Sequence, residues 1–440
     1  MKYPKILIIA IGRINLIDTA NNGLLLRNLF GNWPKDNMAQ IYSSGSNGDI
    51  GFFAHYYQLG PKERHLGRMF YTIKINDQNP VKKQSLSPNL LHNKLSIISK
   101  FKNLLKRIII DTGLYEFIFR PRLSTKILSW VKEFQPDIIF AQGYNLTFTW
   151  LPVMLKERLD LSLIYYPTDD WPVDLYINKG RFNPLITPLI RRAVSSASKR
   201  IVEKASLRIA FNRFMQEEYV KRYKKEFTIL MHGDSISRFK SLVPVRHAAS
   251  NEIWIVSTGA FDEHRYPLLF DLDKACGILK EKEYNLKTTI FPVNTIDELL
   301  PSGNSFKHID FEPCPSHDKL AAILKGADIL FLPERFDSSS EDIRLCVSSK
   351  AHLFMFSEKP IIVYSSQKTG IARYATEEGW AIVAEKQDPK VLAKDIEKLI
   401  LDKVYCNLLI EKANTTSQKN HDLLSIQDTF KELVCSVVNK

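Results

Sequence analysis

The chain has 440 residues, 45% of them hydrophobic and 25% charged, a balance that excludes dominant disorder and gives more length than one ordinary domain needs. Two domains, each able to bury its own core, are the simplest count. Lysine and arginine number 61 against 48 acidic residues, for a net charge of +13; with no helix-turn-helix, RNA-binding aromatic signature or zinc finger to accompany it, the excess points away from nucleic acid and towards anionic lipid or a phosphorylated substrate.

Lys2 and Lys5 precede the apolar run Ile6 to Ile11, which is too short for a signal peptide and lacks a small-residue cleavage site, so it is expected to be a first β-strand. Short continuous apolar runs then alternate with helical patterns to the end of the chain, the signature of parallel sheets covered on both faces by crossover helices. In the first half the strands are expected at 6–11, 137–141, 161–166, 207–211 and 227–231, with helices at 123–134 and 213–223. In the second half strands are expected at 253–258, 288–293, 327–332, 360–364 and 381–384, with helices at 267–280, 317–324, 371–378 and 389–401. Asn76 to Asn93 holds Pro80 and Pro88 and is expected to be a surface insertion. In the stretch after it, Ile97, Ile98, Phe101, Leu104, Leu105 and Ile108 fall on one helical face while Lys94, Lys100, Lys102, Lys106 and Arg107 cover the rest. That pattern fits a helix lying on an anionic bilayer or a basic-faced helix packed on its own sheet.

Gly233 to Ser250 is polar, contains Pro244 and has no sustained period, which makes it the expected interdomain linker. The domains expected are therefore 1–235 and 251–420, with a terminal helix at 421–440 packing back near the first domain. Five cysteines, Cys276, Cys314, Cys346, Cys406 and Cys435, show no C-x-x-C pair and no zinc spacing, as expected for a reducing compartment and for no metal. No run reaches the roughly 18 apolar residues that span a bilayer. The expected location is the cytoplasm, with peripheral attachment to the inner face of the membrane.

Ligands of open parallel sheets bind beyond the carboxyl ends of the strands, so those loops carry the candidate chemistry. After the first strand, Gly12-Arg13-Ile14-Asn15 and Asn21-Asn22-Gly23 do not match the dinucleotide fingerprint, and no bound NAD or FAD cofactor is expected. Gly23 either lets a phosphate or acceptor approach helix amides or is a plain turn glycine. The third strand ends in Pro167-Thr168-Asp169-Asp170-Trp171. Asp169 or Asp170 would suit a general base that takes a proton from a hydroxyl, the alternative being that both cap the next segment. In the second half, Gly259 and Phe261 follow a strand, and Arg265 is placed either to reach a phosphate or to sit on the surface. The loop Ser365 to Gly370 gathers Ser366, Lys368, Thr369 and Gly370 at a helix N-terminus, a place suited to a diphosphate. Ser349 and Lys350 open another helix; Lys350 either offsets diphosphate charge or pairs with Asp342 or Glu358 on a solvated face.

From about Phe306 to Leu401 the sequence resembles the nucleotide-binding domain of GT-B glycosyltransferases, including those that build bacterial surface polysaccharides. The resemblance rests on Ala327-Asp328-Ile329-Leu330-Phe331-Leu332-Pro333, Ser349-Lys350, Glu358-Lys359-Pro360-Ile361-Ile362-Val363-Tyr364 and Ile371-Ala372-Arg373-Tyr374-Ala375, and Asp169-Asp170-Trp171 resembles an element of the acceptor domain. It implies two Rossmann-like domains facing across a cleft, and metal-independent transfer of a sugar from a nucleoside diphosphate sugar to a hydroxyl of a glycan or lipid-linked acceptor. Gly259, Phe261, Arg265, Ser349, Lys350, Ser366, Lys368, Thr369 and Gly370 would then face the donor, with Gly23 and the two aspartates on the acceptor side. Where the family carries a ribose-binding glutamate this chain has Leu353, and where it carries a glycine before Lys-Pro it has Glu358. Two other readings therefore stay open: a non-catalytic binding or scaffolding subunit, and a sugar-nucleotide epimerase on the same fold.

Overall fold

The computed structural model describes residues 3–15, 21–44, 51–64, 120–174, 187–293, 305–337, 340 and 343–438. The expected insertion at 76–93 and the basic helix at 95–109 lie outside them. In chain order the first domain's elements are β1 (Ile6–Ile9), α1 (Asn21–Leu29), β2 (Met38–Tyr42), β3 (His55–Gln58), α2 (Thr125–Phe134), β4 (Ile138–Ala141), α3 (Leu146–Leu159), β5 (Ser162–Tyr165), α4 (Trp171–Asp174), α5 (Thr187–Lys204), β6 (Leu207–Ala210), α6 (Arg213–Tyr223) and β7 (Thr228–Ile229). After α7 (Ile236–Ser241) come β8 (Ile253–Gly259), α8 (Tyr266–Glu281), β9 (Leu286–Pro292), β10 (Asp310–Phe311), α9 (His317–Gly326), β11 (Ile329–Pro333), α10 (Ala351–Phe356), β12 (Ile361–Tyr364), α11 (Gly370–Glu378), β13 (Ile382–Ala384), α12 (Pro389–Leu401), α13 (Lys403–His421) and α14 (Leu423–Val438).

The strands form two wholly parallel sheets, one of seven strands in the order β3-β2-β1-β4-β5-β6-β7 and one of six in the order β10-β9-β8-β11-β12-β13. In each sheet the order reverses beside the first strand, β1 or β8, and at that switch point the loops on either side part to leave a crevice. Every residue of β1, β4, β11 and β12 is buried, as the continuous apolar runs require of strands covered on both faces. Helix ends are set by local chemistry. Asn145, Asn212 and Thr369 each accept the amide hydrogen bond that caps the N-terminus of α3, α6 and α11. Gly379 closes α11 in the left-handed conformation that suits glycine.

The segment expected to be irregular, 233–250, contains α7. Ser235 caps it, and Phe239 is buried against Ala321 and Phe356, so tertiary packing makes a helix of a stretch whose sequence has no period. The chain's last helix, α14, lies against the first domain: the Phe430 ring meets Phe30 at 5.3 Å, Phe140 at 5.9 Å and Trp33 at 5.9 Å.

Candidate functional site

The second domain brings its charged residues to the carboxyl end of β8. Gly259 ends that strand with φ at +128°, a backbone state that side chains rarely adopt, and a Cβ built there would lie 2.4 Å from Lys350 Nζ. Glycine is what lets Lys350 lie across the strand end, where its ammonium donates to the Thr258 carbonyl at 3.1 Å. Burial, and then the Arg265 charge, push the Lys350 ammonium down to about 8, against the pull of Glu334 and Asp262.

Arg265, just before α8, forks onto Glu334 through Nε at 2.9 Å and Nη2 at 2.7 Å, and Asp262 accepts from Arg335 at 3.3 Å. Glu334 is buried at the carboxyl end of β11. Arg265 was expected at this point, but its acidic partners, Glu334 and, at 3.9 Å, Asp262, were not; Glu334 follows directly on the Pro333 that ends the strand motif, which is the signal that could have found it. Phe261 is buried in the second domain's core beside Leu268 and Leu269. Ser349 is exposed next to Lys350.

In the loop after β12, Ser365 and Thr369 are buried and their hydroxyls bond to each other at 2.7 Å. Thr369 also caps α11, accepting from the Ala372 amide, while the Ser366 hydroxyl accepts from the Lys368 amide at 3.3 Å. The side chain of Lys368 is exposed. Gly370 is packed so closely that a Cβ would meet the Cys346 carbonyl oxygen at 2.5 Å. The loop's hydroxyls thus build the turn, and what it offers a ligand is the opening turn of α11.

The first domain contributes the loop after β5, where the two aspartates part company. Asp170 is wholly buried and takes a bidentate fork from Arg222 at 2.6 and 2.7 Å, together with the Tyr219 hydroxyl at 3.1 Å. Its oxygens are held as the acid half of a buried ion pair. Asp169 is instead exposed, with Cys346 of the other domain facing it. The protein crowded around it pushes its carboxyl above the ordinary carboxylate range, the Asp170 charge adds to this, and the Cys346 thiol, 3.8 Å away, opposes it. Trp171 is buried against Leu146, Ile190 and Val194. Gly23 lies within the first turns of α1 rather than ahead of it. Among the described residues no group of three or more His, Cys, Asp or Glu is arranged to hold a metal ion, and no helix is long and apolar enough to cross a membrane.

No family description and no curated protein matches this sequence. Solved structures do match in fold. HepE of Anabaena, solved with UDP and glucose, is similar with a TM-score of 0.57 at 14% identity, covering 99% of this chain and 100% of that one. Sucrose-phosphate synthase of Thermosynechococcus elongatus matches with a TM-score of 0.60 at 13% identity over 98% of each chain. WaaG, a glycosyltransferase involved in lipopolysaccharide biosynthesis, matches with a TM-score of 0.54 at 10% identity over 97% of this chain and 99% of its own. The chain has the GT-B fold of these structures, two Rossmann-like domains facing each other across a cleft.

Proposed function

We propose that this chain is a glycosyltransferase that moves a sugar from a nucleoside diphosphate sugar to a hydroxyl of a glycan or lipid-linked acceptor, in building a cell-surface polysaccharide. The observation that carries the reading is a meeting of opposite chemistries in one cleft. The ammonium of Lys350 lies at the carboxyl end of β8 in one domain and the open carboxylate of Asp169 belongs to the other. Cys346 lies 3.8 Å from Asp169 and near enough to Arg265 to act on its charge, and Arg265 in turn acts on Lys350. Residues 1–235 would hold the acceptor and 251–420 the donor, with 421–440 returning to the acceptor side. The HepE structure, which holds UDP and glucose on the same fold, makes uridine nucleotides the first donors to try.

In an inverting transfer the acceptor oxygen bonds to the anomeric carbon as the bond from that carbon to the diphosphate oxygen breaks. The electron pair leaves with the diphosphate, and the hydroxyl proton passes to Asp169. Lys350 and the amides opening α11 would offset the growing charge on the leaving group, and closure of the domains would keep water from the donor. Asp169 suits the base better than Asp170, whose oxygens are already taken by Arg222 and Tyr219. Its raised carboxyl also favours holding the proton it receives. The excess of basic residues supports attachment to the anionic inner face of the membrane.

One observation favours a second reading. Leu353, half-buried among the apolar side chains around Phe239, brings no carboxylate to the ribose position of the family motif, as a non-catalytic binding subunit would allow. A thermal-shift panel of nucleoside diphosphates and their sugars separates the two. A uridine or other nucleoside diphosphate should raise the melting temperature, and Asp169→Asn should keep that binding while lowering transfer about 10²- to 10⁴-fold, the usual worth of a general base. Absence of any nucleotide effect would end the transferase reading, and binding without turnover of any donor would favour the second.

A further inference from the structure

Besides the Arg213–Glu377 ion pair and the stacking of Arg373 on Phe214, the two domains touch through a short docked segment. Three consecutive residues of the second domain, Arg344, Leu345 and Cys346, each meet the first. Arg344 Nη2 reaches Glu218 Oε1 at 3.5 Å and Asp170 Oδ2 at 3.8 Å. The Leu345 carbonyl accepts from Asn212 Nδ2 at 2.8 Å, and Asn212 is fixed because its other amide atom caps α6 by accepting from Met215 at 3.0 Å. Cys346 Sγ faces Asp169 Oδ1 at 3.8 Å. On its other side the Cys346 backbone is pressed against Gly370, at the opening of α11, where a Cβ would come within 2.5 Å of its carbonyl oxygen. One tripeptide thus links the loop on the donor side to the carboxylate on the acceptor side.

The charges explain why an arginine begins it. Within the first domain, Asp170 and Glu218 share Arg222, whose Nη2 also bonds Glu218 at 2.9 Å. Two carboxylates share one guanidinium, with the Lys221 charge also acting on Glu218, next to a third carboxylate, Asp169. Arg344 brings a further cation to both carboxylates, but only when the domains are together. A half-buried site screens charge less than open water does, so the balance matters there more than on the surface.

We propose that Arg344 is a positioning residue: by docking into the Asp170–Glu218–Arg222 cluster it holds the domains closed and sets Asp169 opposite the donor loop. This rests on the reading of Asp169 as the base. Among the described groups Asp170 and Cys346 act on Asp169, and the protein crowded around it is the largest cause of its raised carboxyl, so removing Arg344 opens the contact and admits water to it. Relief of that burial outweighs the less fully offset Asp170 charge, the smaller cause, so the Asp169 proton should be lost at lower pH, nearer the ordinary carboxylate range.

The test has one arm that needs no activity. Alkylation of individual cysteines by iodoacetamide, followed by peptide mass spectrometry, reads opening of the contact at Cys346, while Cys314, half-buried and bonded to Thr258 and Pro315 of its own domain, is the internal control. Arg344→Ala should speed labelling of Cys346 at least fivefold with Cys314 unchanged, and Arg344→Lys should restore much of the protection. Glu218→Gln, which removes the closer of the two acceptors, should raise labelling as well, and serves if Arg344→Ala does not fold. In the transfer assay the acid limb of the kcat profile should move to lower pH in Arg344→Ala and return in Arg344→Lys. Unchanged Cys346 labelling in Arg344→Ala, or in Glu218→Gln where that variant serves, would overturn the proposal. Faster labelling with an unmoved acid limb would overturn its second half, the setting of Asp169. If no donor is ever turned over, the transferase reading fails while the labelling arm still decides the contact.

Discussion

Lys350 carries a positive charge at the carboxyl end of β8, where a departing diphosphate would need it. An ammonium about 4 Å from a unit negative charge at an effective dielectric near 20 gains about 4 kcal/mol, several times what a solvated surface pair is worth. Lys350→Ala should therefore leave folding intact and weaken nucleoside diphosphate binding or turnover at least tenfold, about 1.4 kcal/mol. Gly259→Ala should do the same from the other side, because the new methyl group occupies the space of Lys350 Nζ and the backbone sits at a φ of +128°. As both changes displace one ammonium, the double variant should lose little more than either alone. The Lys350 ammonium is held down at about 8, so the cation is present below that pH and lost above it, and affinity should fall as pH rises beyond about 8. Titration calorimetry with UDP at pH 7 and 9, on the parent and on Lys350→Ala, checks the sign; an Ala variant that binds as tightly as the parent sinks the assignment. Lys350 was singled out because Ser349-Lys350 resembles the Ser-Lys pair of the family motif at the start of a helix. The Thr258 carbonyl it binds and the Glu334 that holds Arg265 were not, since both are partners brought in by folding from distant parts of the chain.

Among the elements, the ones whose sequence alone shows a period were legible and the rest were formed by context. The strands 6–11, 137–141 and 161–166 correspond to β1, β4 and β5, and 389–401 matches α12 at both ends. Strand β2 was not expected because Gln40 interrupts it. That side chain is buried, and it accepts from the Ile14 amide at 3.0 Å and donates to the Gly12 carbonyl at 2.7 Å, so the polar group is satisfied inside the fold in a way no local pattern reveals. Helix α3 hid behind Pro152 and a stretch, Leu146 to Leu155, that is buried nearly all round and shows a polar face only in its last turn, at Glu157 and Arg158. Strand β10 is two residues long and owes its existence to pairing with β9. Helix α14 was legible as a helix, while its aromatic seat was not: Phe430 is fully buried among Phe30, Trp33 and Phe140. Phe430→Ala removes that ring from a packed site and should cost about 3 to 5 kcal/mol, read as a lower urea midpoint with an unchanged slope. A loss under about 1 kcal/mol would mean that α14 is only loosely seated on the first sheet.

At the scale of the whole molecule the chain passes between the domains twice, and the two passages run side by side. Asp234 donates its amide to the His421 carbonyl at 3.1 Å, and Leu423 donates to the Asp234 carbonyl at 3.2 Å. The fit at Gly233 is tight enough that a Cβ would lie 2.1 Å from the His421 carbonyl oxygen. Around this crossing sit three buried histidines: His232 from the outgoing passage, His421 from the returning one, and His352 from α10 of the second domain, whose ring is 4.7 Å from His232 and 5.8 Å from His421. The His421 Nδ1 lies 2.5 Å from the His232 carbonyl and its Nε2 lies 3.0 Å from the Tyr374 hydroxyl, an arrangement that suits a neutral ring donating at Nδ1 and accepting at Nε2. Burial, and then the neighbouring histidines, hold His232 down to about 3, and burial holds His421 down to about 4. Their unfolded values lie near 6.5. Below that pH the unfolded chain takes up protons that the folded one refuses, so stability is complete above about pH 7 and falls as pH drops from about 6.5 towards 4. The slope is about 1.4 kcal/mol per pH unit for each histidine that stays neutral. Urea midpoints measured at pH 7.5, 6.0 and 5.0 should therefore decline before ordinary carboxylates begin to titrate. His352→Leu, which keeps the volume apolar and removes one refused proton, should flatten the decline by about one proton's worth. A midpoint constant from pH 7.5 to 5.0 would show that the crossing opens to accept protons without loss of the fold, and that the two passages do not lock the domains together.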